Sequence, residues 1–401
     1  MARPERPGSR ANRSSRDERG LGPLARLFLK LGVIAFGGPA AHIAMLQDEV
    51  VERRGWIRRD HFLDLIGATN LIPGPNSTEM TMHVGYERAG WAGLLVSGSC
   101  FIVPAVLITG GFAWLYVRFG DLPAVEPFLF GIKPAVIAVI LGALWKLGRE
   151  AVRGWRLGVV GGAVAVAVLL GADEVAMLLA GGVLGMAWLR LARRDPSRSA
   201  AALVTFGLPG REAALAASGA AGAAAAVSLW KLGLFFLKVG AVLYGSGYVL
   251  VAFLEGGLVS DYGWLTEAEL LDAIAIGQFT PGPVLSTATF IGYVIAGVPG
   301  AIVATVGIFL PSFLFVLALN PVIPRLRESA WTAAFLDAVN VAAVALMAAV
   351  TIELGGATLT SWPAWTIAIV AAIAALRFRV NAAWLVLGGA ITGWLLARWA
   401  A

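Results

Sequence analysis

The chain has 401 residues, of which 58% are hydrophobic and 14% charged, against roughly 25% charged in a soluble domain. It also holds 49 glycines, a residue commoner in membrane helices than in soluble ones, so the composition excludes a water-soluble domain and marks a multi-span membrane protein. The net charge of +6 sits in the tail and loops, so it is read as membrane topology and not as a nucleic-acid surface.

Residues 1–22 carry Arg3, Arg6, Arg10, Arg13, Arg16 and Arg19 without an apolar core. They are expected to form a disordered basic tail on the cytoplasmic side, with no cleavable signal peptide. A first unit, 23–192, opens with two interrupted apolar stretches. Residues 24–46 break at Gly37-Gly38-Pro39, and 62–85 break at Pro73-Gly74-Pro75. Proline removes a backbone donor and clashes with the preceding turn, so no intact helix runs through Pro-Gly-Pro. Broken backbone at membrane depth is tolerated only where protein or a wet cavity satisfies it. These stretches are therefore re-entrant hairpins or broken helices. Apolar spans follow near 91–117, 129–147, 157–171 and 174–192.

A basic cytoplasmic linker is expected over 193–212, then a second unit over 213–401. Its small-residue segment 213–230 is long enough to cross once. The stretches 232–254 and 270–293 break at Gly245-Ser246-Gly247 and Pro281-Gly282-Pro283. Spans follow near 296–319, 333–352, 361–376 and 381–397. The lone Cys100 allows no internal disulfide, no metal-ligand spacing is present, and no cofactor is expected.

The two units are copies. Phe36-Gly37-Gly38-Pro39, Gly55-Trp56, Asp64, Pro73-Gly74-Pro75, Gly85-Tyr86 and Pro104 recur as Tyr244-Gly245-Ser246-Gly247, Gly263-Trp264, Asp272, Pro281-Gly282-Pro283, Gly292-Tyr293 and Pro311. The offset is 208 up to Pro75/Pro283 and 207 from Gly85/Gly292 onward. The charges are reversed between copies. Segment 47–60 holds Arg53, Arg54, Arg58 and Arg59, whereas 255–268 holds only Glu255, Asp261 and Glu267. Loop 146–156 carries Lys146, Arg149, Arg153 and Arg156, and its counterpart near 350–361 has no basic residue. Basic loops lie inside, so matching loops are predicted on opposite faces: an all-α polytopic membrane protein built of two inverted-topology repeats, with broken or re-entrant helices. Repeats of this kind place a transporter's substrate site between the halves.

The start of a broken half-helix presents backbone N–H groups and the positive end of its dipole, a ready anion site. Asn76, Ser77 and Thr78 follow Pro75, and Ser286 follows Pro283; Asn70 and Gln278 precede the breaks at equivalent positions. Lys30 and Lys238 are also equivalent. The substrate-binding candidates are thus Lys30, Gly37, Gly38, Asn70, Pro73, Gly74, Pro75, Asn76, Ser77, Thr78, Lys238, Gly245, Ser246, Gln278, Pro281, Gly282, Pro283 and Ser286. The lysines have a plainer reading as side chains that snorkel to the interface. Glu79, Asp64, Asp272 and His42 are candidates for proton coupling. Glu79 sits at capping distance from Asn76, and the aspartates are equally readable as helix-orienting groups.

Phe36-Gly37-Gly38-Pro39 with Ala41-His42, then Leu71-Ile72-Pro73-Gly74-Pro75-Asn76-Ser77-Thr78-Glu79 and Gly85-Tyr86, resembles the first half of the chromate ion transporter family. Gln278-Phe279-Thr280-Pro281-Gly282-Pro283, Gly292-Tyr293 and Gly307-Ile308-Phe309-Leu310-Pro311-Ser312 resemble its second half. The resemblance covers nearly the whole chain past the tail and implies a bacterial inner-membrane exporter of chromate, coupled to protons and open to competition by sulfate. It implies chromate or a sulfate-like oxyanion and the lipid bilayer as partners, and no nucleic acid. A homodimer is allowed for, since the sequence does not fix oligomeric state. Transport of another oxyanion and passive anion conduction remain open as alternatives. An intramembrane enzyme lacks support, because the three histidines (His42, His61, His83) all fall in the first half.

Overall fold

The computed structural model describes residues 20–120, 122–191, 228–245, 247–319 and 329–400. Most of the basic tail, the linker and the 213–230 segment lie outside these, as does Ser246. Every described element is a helix. In the first half these are α1 (Leu21–Ile34), α2 (Gly38–Gln47), α3 (Arg59–Thr69), α4 (Asn76–Phe119), α5 (Glu126–Ala151), α6 (Trp155–Leu169) and α7 (Glu174–Leu191). Their counterparts are α8 (Leu229–Val242), α9 (Leu250–Leu254), α10 (Glu267–Phe279), α11 (Thr287–Leu319), α12 (Ala330–Thr358), α13 (Trp362–Phe378) and α14 (Ala382–Ala400). A π-helical turn follows α2 (Asp48–Arg53) and another follows α9 (Glu255–Asp261).

Six of the described helices are long and apolar enough to cross a membrane: α4, α5, α7, α11 with the turn before it, α12 and α14. The chain is a multi-pass membrane protein. Helices α6 and α13 are apolar but shorter, as their sequence spans lead one to expect.

Helices α4 and α11 each double back at one point. Ala89 and Gly90 take φ/ψ of −146°/26° and 60°/−149°, and Ala296 and Gly297 take −145°/27° and 60°/−150°. Glycine supplies the left-handed residue that an L side chain resists. The limbs then pack backbone to backbone. Gly85 lies against Gly93 and Gly292 against Gly300, so closely that no Cβ fits at any of the four. The Thr289 and Thr305 hydroxyls meet at 2.7 Å across the second fold. At 1.5 Å per residue the first limb of α4, 76–88, is only about 20 Å long, short of the roughly 30 Å hydrocarbon layer.

Contacts along the second limb of α4 show what the Pro-Gly-Pro breaks are. Thr109 bonds Thr280 at 3.2 Å and Ser286 at 3.1 Å. Two turns further on, Tyr116 donates to Asp272 at 3.0 Å and packs on the Phe290 ring at 5.2 Å. Residues 272 and 290 therefore share one level and 280 and 286 another. The stretch 270–293 is a re-entrant hairpin with Pro281-Gly282-Pro283 at its tip.

The same contacts orient the repeats. The second limb of α4 runs parallel to 284–295, and 284–295 runs antiparallel to the second limb of α11. Gly98 meeting Phe313 agrees with this. The two equivalent long limbs run in opposite directions, so the repeats are inverted.

The halves interlock through the remaining helices. Helix α5 packs against α13 and α14, and α12 packs against α6 and α7. Lipid supplies no hydrophobic drive between helices, so small residues that let backbones approach carry the packing. Gly389 and Gly393 of α14 meet Gly131 of α5, and Gly181 and Gly185 of α7 meet Ala342 and Ala338 of α12.

Candidate functional site

Four interruptions come together, and they do so by exchange between the halves. The amide of Gly74, at the first Pro-Gly-Pro, donates to the carbonyl of Leu243 at the end of α8, at 2.8 Å. The amide of Gly282, at the second, donates to the carbonyl of Ala35 just past α1, also at 2.8 Å. Ala35 and Leu243 are equivalent residues, as are Gly74 and Gly282. Gly37, Gly38, Gly74, Gly245 and Gly282 all have positive φ, from 79° to 143°, so each break depends on a conformation that glycine alone adopts without strain.

The first tip is enclosed. Pro73, Gly74 and Pro75 are buried, and a Cβ on Gly74 would coincide with Glu79 Oε1 and Ser312 Oγ. Thr78 and Glu79 amides turn back to the Pro75 carbonyl at 2.8 and 3.1 Å, and no side chain caps the start of α4. The capping role open to Glu79 is therefore not the one it takes. Its side chain is fully buried (0% exposed). The Ser312 hydroxyl faces this carboxyl group, and Thr78 Oγ1 is buried without a hydrogen-bond partner among the described residues. Asn76 Nδ2 donates to Asn70 Oδ1 at 2.7 Å, closing the two amides across the tip on its accessible side.

His42 ties the first break to this helix start. Its Nε2 lies 3.0 Å from the Ala35 carbonyl, and its Nδ1 lies 3.3 Å from Ser77 Oγ. A carbonyl only accepts, so Nε2 carries the hydrogen. In the neutral ring Nδ1 then accepts from the Ser77 hydroxyl.

The second tip differs chemically. Pro281, Gly282 and Pro283 are buried, and Ser286, Thr280 and Thr109 form a hydroxyl cluster beside them. Thr280 passes its hydrogen to the Ile276 carbonyl at 2.9 Å. Gln278 accepts from Tyr248 at 3.4 Å, and the Tyr248 hydroxyl lies close to Gly38 of the other half.

The lysines are placed differently from the expectation that they supply charge at the breaks. Lys30 Nζ bonds Glu49 Oε1 at 2.6 Å on the outer side of α1, and Arg54 reaches the other oxygen of Glu49 at 3.3 Å. Hydrogen bonding from Lys30 first, and then the nearby Arg54, hold the Glu49 carboxyl below its ordinary value against the opposing effect of burial. The position equivalent to Glu49 is Gly257, so Lys238 lacks this partner. It lines a separate cavity with Asp173, Glu174 and Asp261. The aspartates also part company. Asp64 is exposed on α3, whereas Asp272 is buried, bonded to Tyr116 and 3.9 Å from Lys133.

Sequence reasoning missed Thr109, Tyr116, Lys133, Tyr248 and Ser312. Their counterparts in the other half are unlike them, Val316 for Thr109 and Ala105 for Ser312, so a search for repeated polar residues passes over them.

The comparisons with known proteins agree with this duplicated architecture. The chromate transporter family matches the chain twice, over residues 23–186 and 230–394. A chromate transport protein of Cupriavidus metallidurans is 32% identical over 375 residues, 92% of this chain and 92% of its own. A chromate transport protein of Pseudomonas aeruginosa is 32% identical over 386 residues, 92% and 91% of the two chains. An uncharacterized Bacillus subtilis transporter, YwrA, is 28% identical over 130 residues, which is 32% of this chain but 73% of its own. No solved structure matches. Two matches in tandem, together spanning most of the chain, show that the protein belongs to the chromate transporter family.

Proposed function

We propose that this protein is a secondary carrier that exports chromate across the bacterial inner membrane, with its N-terminus in the cytoplasm, and so confers chromate resistance. The observation that carries the reading is the reciprocal pair of bonds, Gly74 to Leu243 and Gly282 to Ala35. They gather four backbone breaks from two inverted repeats at one place, the arrangement in which half-helix ends bind anions in other carriers.

The half-helix starts after Pro75 and Pro283 offer N–H groups and dipole to a tetrahedral dianion. Asn70, Asn76, Ser77, Thr78, Gln278 and Ser286 offer side-chain hydrogen bonds. The glycines at 37, 38, 245 and 282 let backbone approach the ligand. The inside-negative potential drives an anion outward by about 2.3 kcal/mol per charge per 100 mV, and a dianion gains twice that. The relatives named for chromate transport point to chromate as the substrate; sulfate has the same shape and charge.

The test is transport of labelled chromate by purified protein in vesicles, with Asn76→Ala and Ser77→Ala beside the wild type and with sulfate as competitor. Wild-type vesicles that move no chromate overturn the function. Undiminished transport in both variants overturns the site.

A further inference from the structure

We propose that Glu79 is the proton carrier of this transporter and that it moves protons in the same direction as the oxyanion. The proposal rests on the carrier reading above and adds the sign of its coupling. Glu79 sits within the first turn of the half-helix 76–88, whose start is uncapped. It is fully buried, the neutral Ser312 hydroxyl is its side-chain hydrogen-bonding neighbour, and it has no ion pair among the described residues. It touches the backbone of Gly74, the residue that links the halves.

The groups around it are neutral or able to be so. Ser312 faces it from α11 and Tyr244 from the end of α8. His83 lies one turn on along α4, and His42 reaches the same helix start through Ser77. A buried carboxylate with no cation is strongly disfavoured. The stable occupant of this space is the neutral acid, whose O–H is then free to donate towards Ser312 or a ligand.

The sign follows from charge. An anion held by the amides of Asn76 and Ser77 lies within a turn of Glu79, where a second negative centre repels it in a medium of low dielectric. Anion binding therefore favours protonation of Glu79, and protonation favours anion binding to the same degree. Proton and anion load together and leave together. For a dianion one net negative charge departs per cycle, so the membrane potential still drives export while the proton gradient opposes it.

The experiment uses vesicles loaded with labelled chromate and a lumenal pH dye, at mildly alkaline pH where chromate is the dianion. Efflux by the wild type is expected to make the lumen more alkaline, with about one proton leaving per chromate. Glu79→Gln, which keeps the shape and carries no proton, is expected to abolish the pH change per chromate moved. Acidification of the lumen, or the same proton ratio in Glu79→Gln, overturns the proposal. Vesicles in which wild-type protein moves no chromate overturn the carrier reading instead. For a variant that no longer transports, chromate titration in buffers of different ionisation enthalpy decides. Wild-type protein takes up a proton on binding and the variant does not, and equal uptake by both refutes the assignment.

Discussion

Gly74 and Leu243 belong to different halves of the chain, yet the amide of one donates to the carbonyl of the other across 2.8 Å. The space where a Gly74 side chain would stand is filled by Glu79 and Ser312. Gly74→Ala must displace both and hold a φ of 143°. It is expected to slow chromate transport by about tenfold or more, the equivalent of ~1.4 kcal/mol, with the amount of protein in the membrane measured alongside. Gly245→Ala meets its nearest neighbours only at 3.5 Å. Its cost is that of the left-handed backbone alone, about 1–2 kcal/mol of stability.

Two hydroxyls near the tips should respond differently to removal. Thr109 joins Thr280 and Ser286, so Thr109→Val leaves the buried Ser286 hydroxyl without its donor and is expected to cost about 1–3 kcal/mol. Ser312 Oγ lies against the Glu79 carboxyl alone and in poor hydrogen-bond geometry, and Ser312→Ala is expected to lower the melting temperature by less. Thermal melting of the two purified variants in one detergent checks the contrast.

The Lys30–Glu49 pair gives a defined response to acid. The Glu49 carboxyl is held below its ordinary value of 4.5, chiefly by Lys30. A group whose folded value is depressed stabilises the fold above its unfolded value and loses that contribution as pH falls through the folded one. The pair is therefore intact at neutral pH, and its contribution fades only below the ordinary glutamate range. Lys30 is half exposed, so the contribution is small, about 0.5–1 kcal/mol. Melting followed into the acid range is expected to fall less steeply for Glu49→Gln than for the wild type.

The inverted arrangement makes a labelling prediction. In a Cys100→Ser background, single cysteines placed in 47–60 and in 255–268 are expected to react with impermeant reagent from opposite faces of the membrane. Labelling of both from the same face would contradict the antiparallel course of α4 and α11.

The glycine seams are predicted to be intolerant of bulk. Gly131→Leu or Gly393→Leu drives a side chain into backbone that is already in contact. A loss of about 1–3 kcal/mol or more is expected from such overpacking, read as a lower melting temperature and lower yield of folded protein.

The duplication, the inversion and the four breaks were legible because they are written in proline, glycine and the placement of arginine. These residue types act on the backbone or on topology wherever they occur. Whether Pro-Gly-Pro marked a hairpin or a through-going broken helix was not legible, since that depends on the levels at which Asp272, Thr280, Ser286 and Phe290 meet α4. For the lysines, equivalence in sequence did not bring equivalent surroundings. Glu49 waits for Lys30, and Gly257 leaves Lys238 to a different cavity. The folds at Ala89-Gly90 and Ala296-Gly297 fall where the sequence separates 62–85 from 91–117 and 270–293 from 296–319. The tight glycine-on-glycine packing of their limbs was not legible, since nothing local separates such a glycine from the many others in the chain.

The exchange of α5 and α14 sets an order of assembly. The Gly131 face of α5 meets Gly389 and Gly393, which lie far later in the chain. At roughly 5–20 residues per second of synthesis, the intervening stretch takes about 13–50 s to emerge. For that time the glycine seam of α5 lacks the partner that α14 supplies.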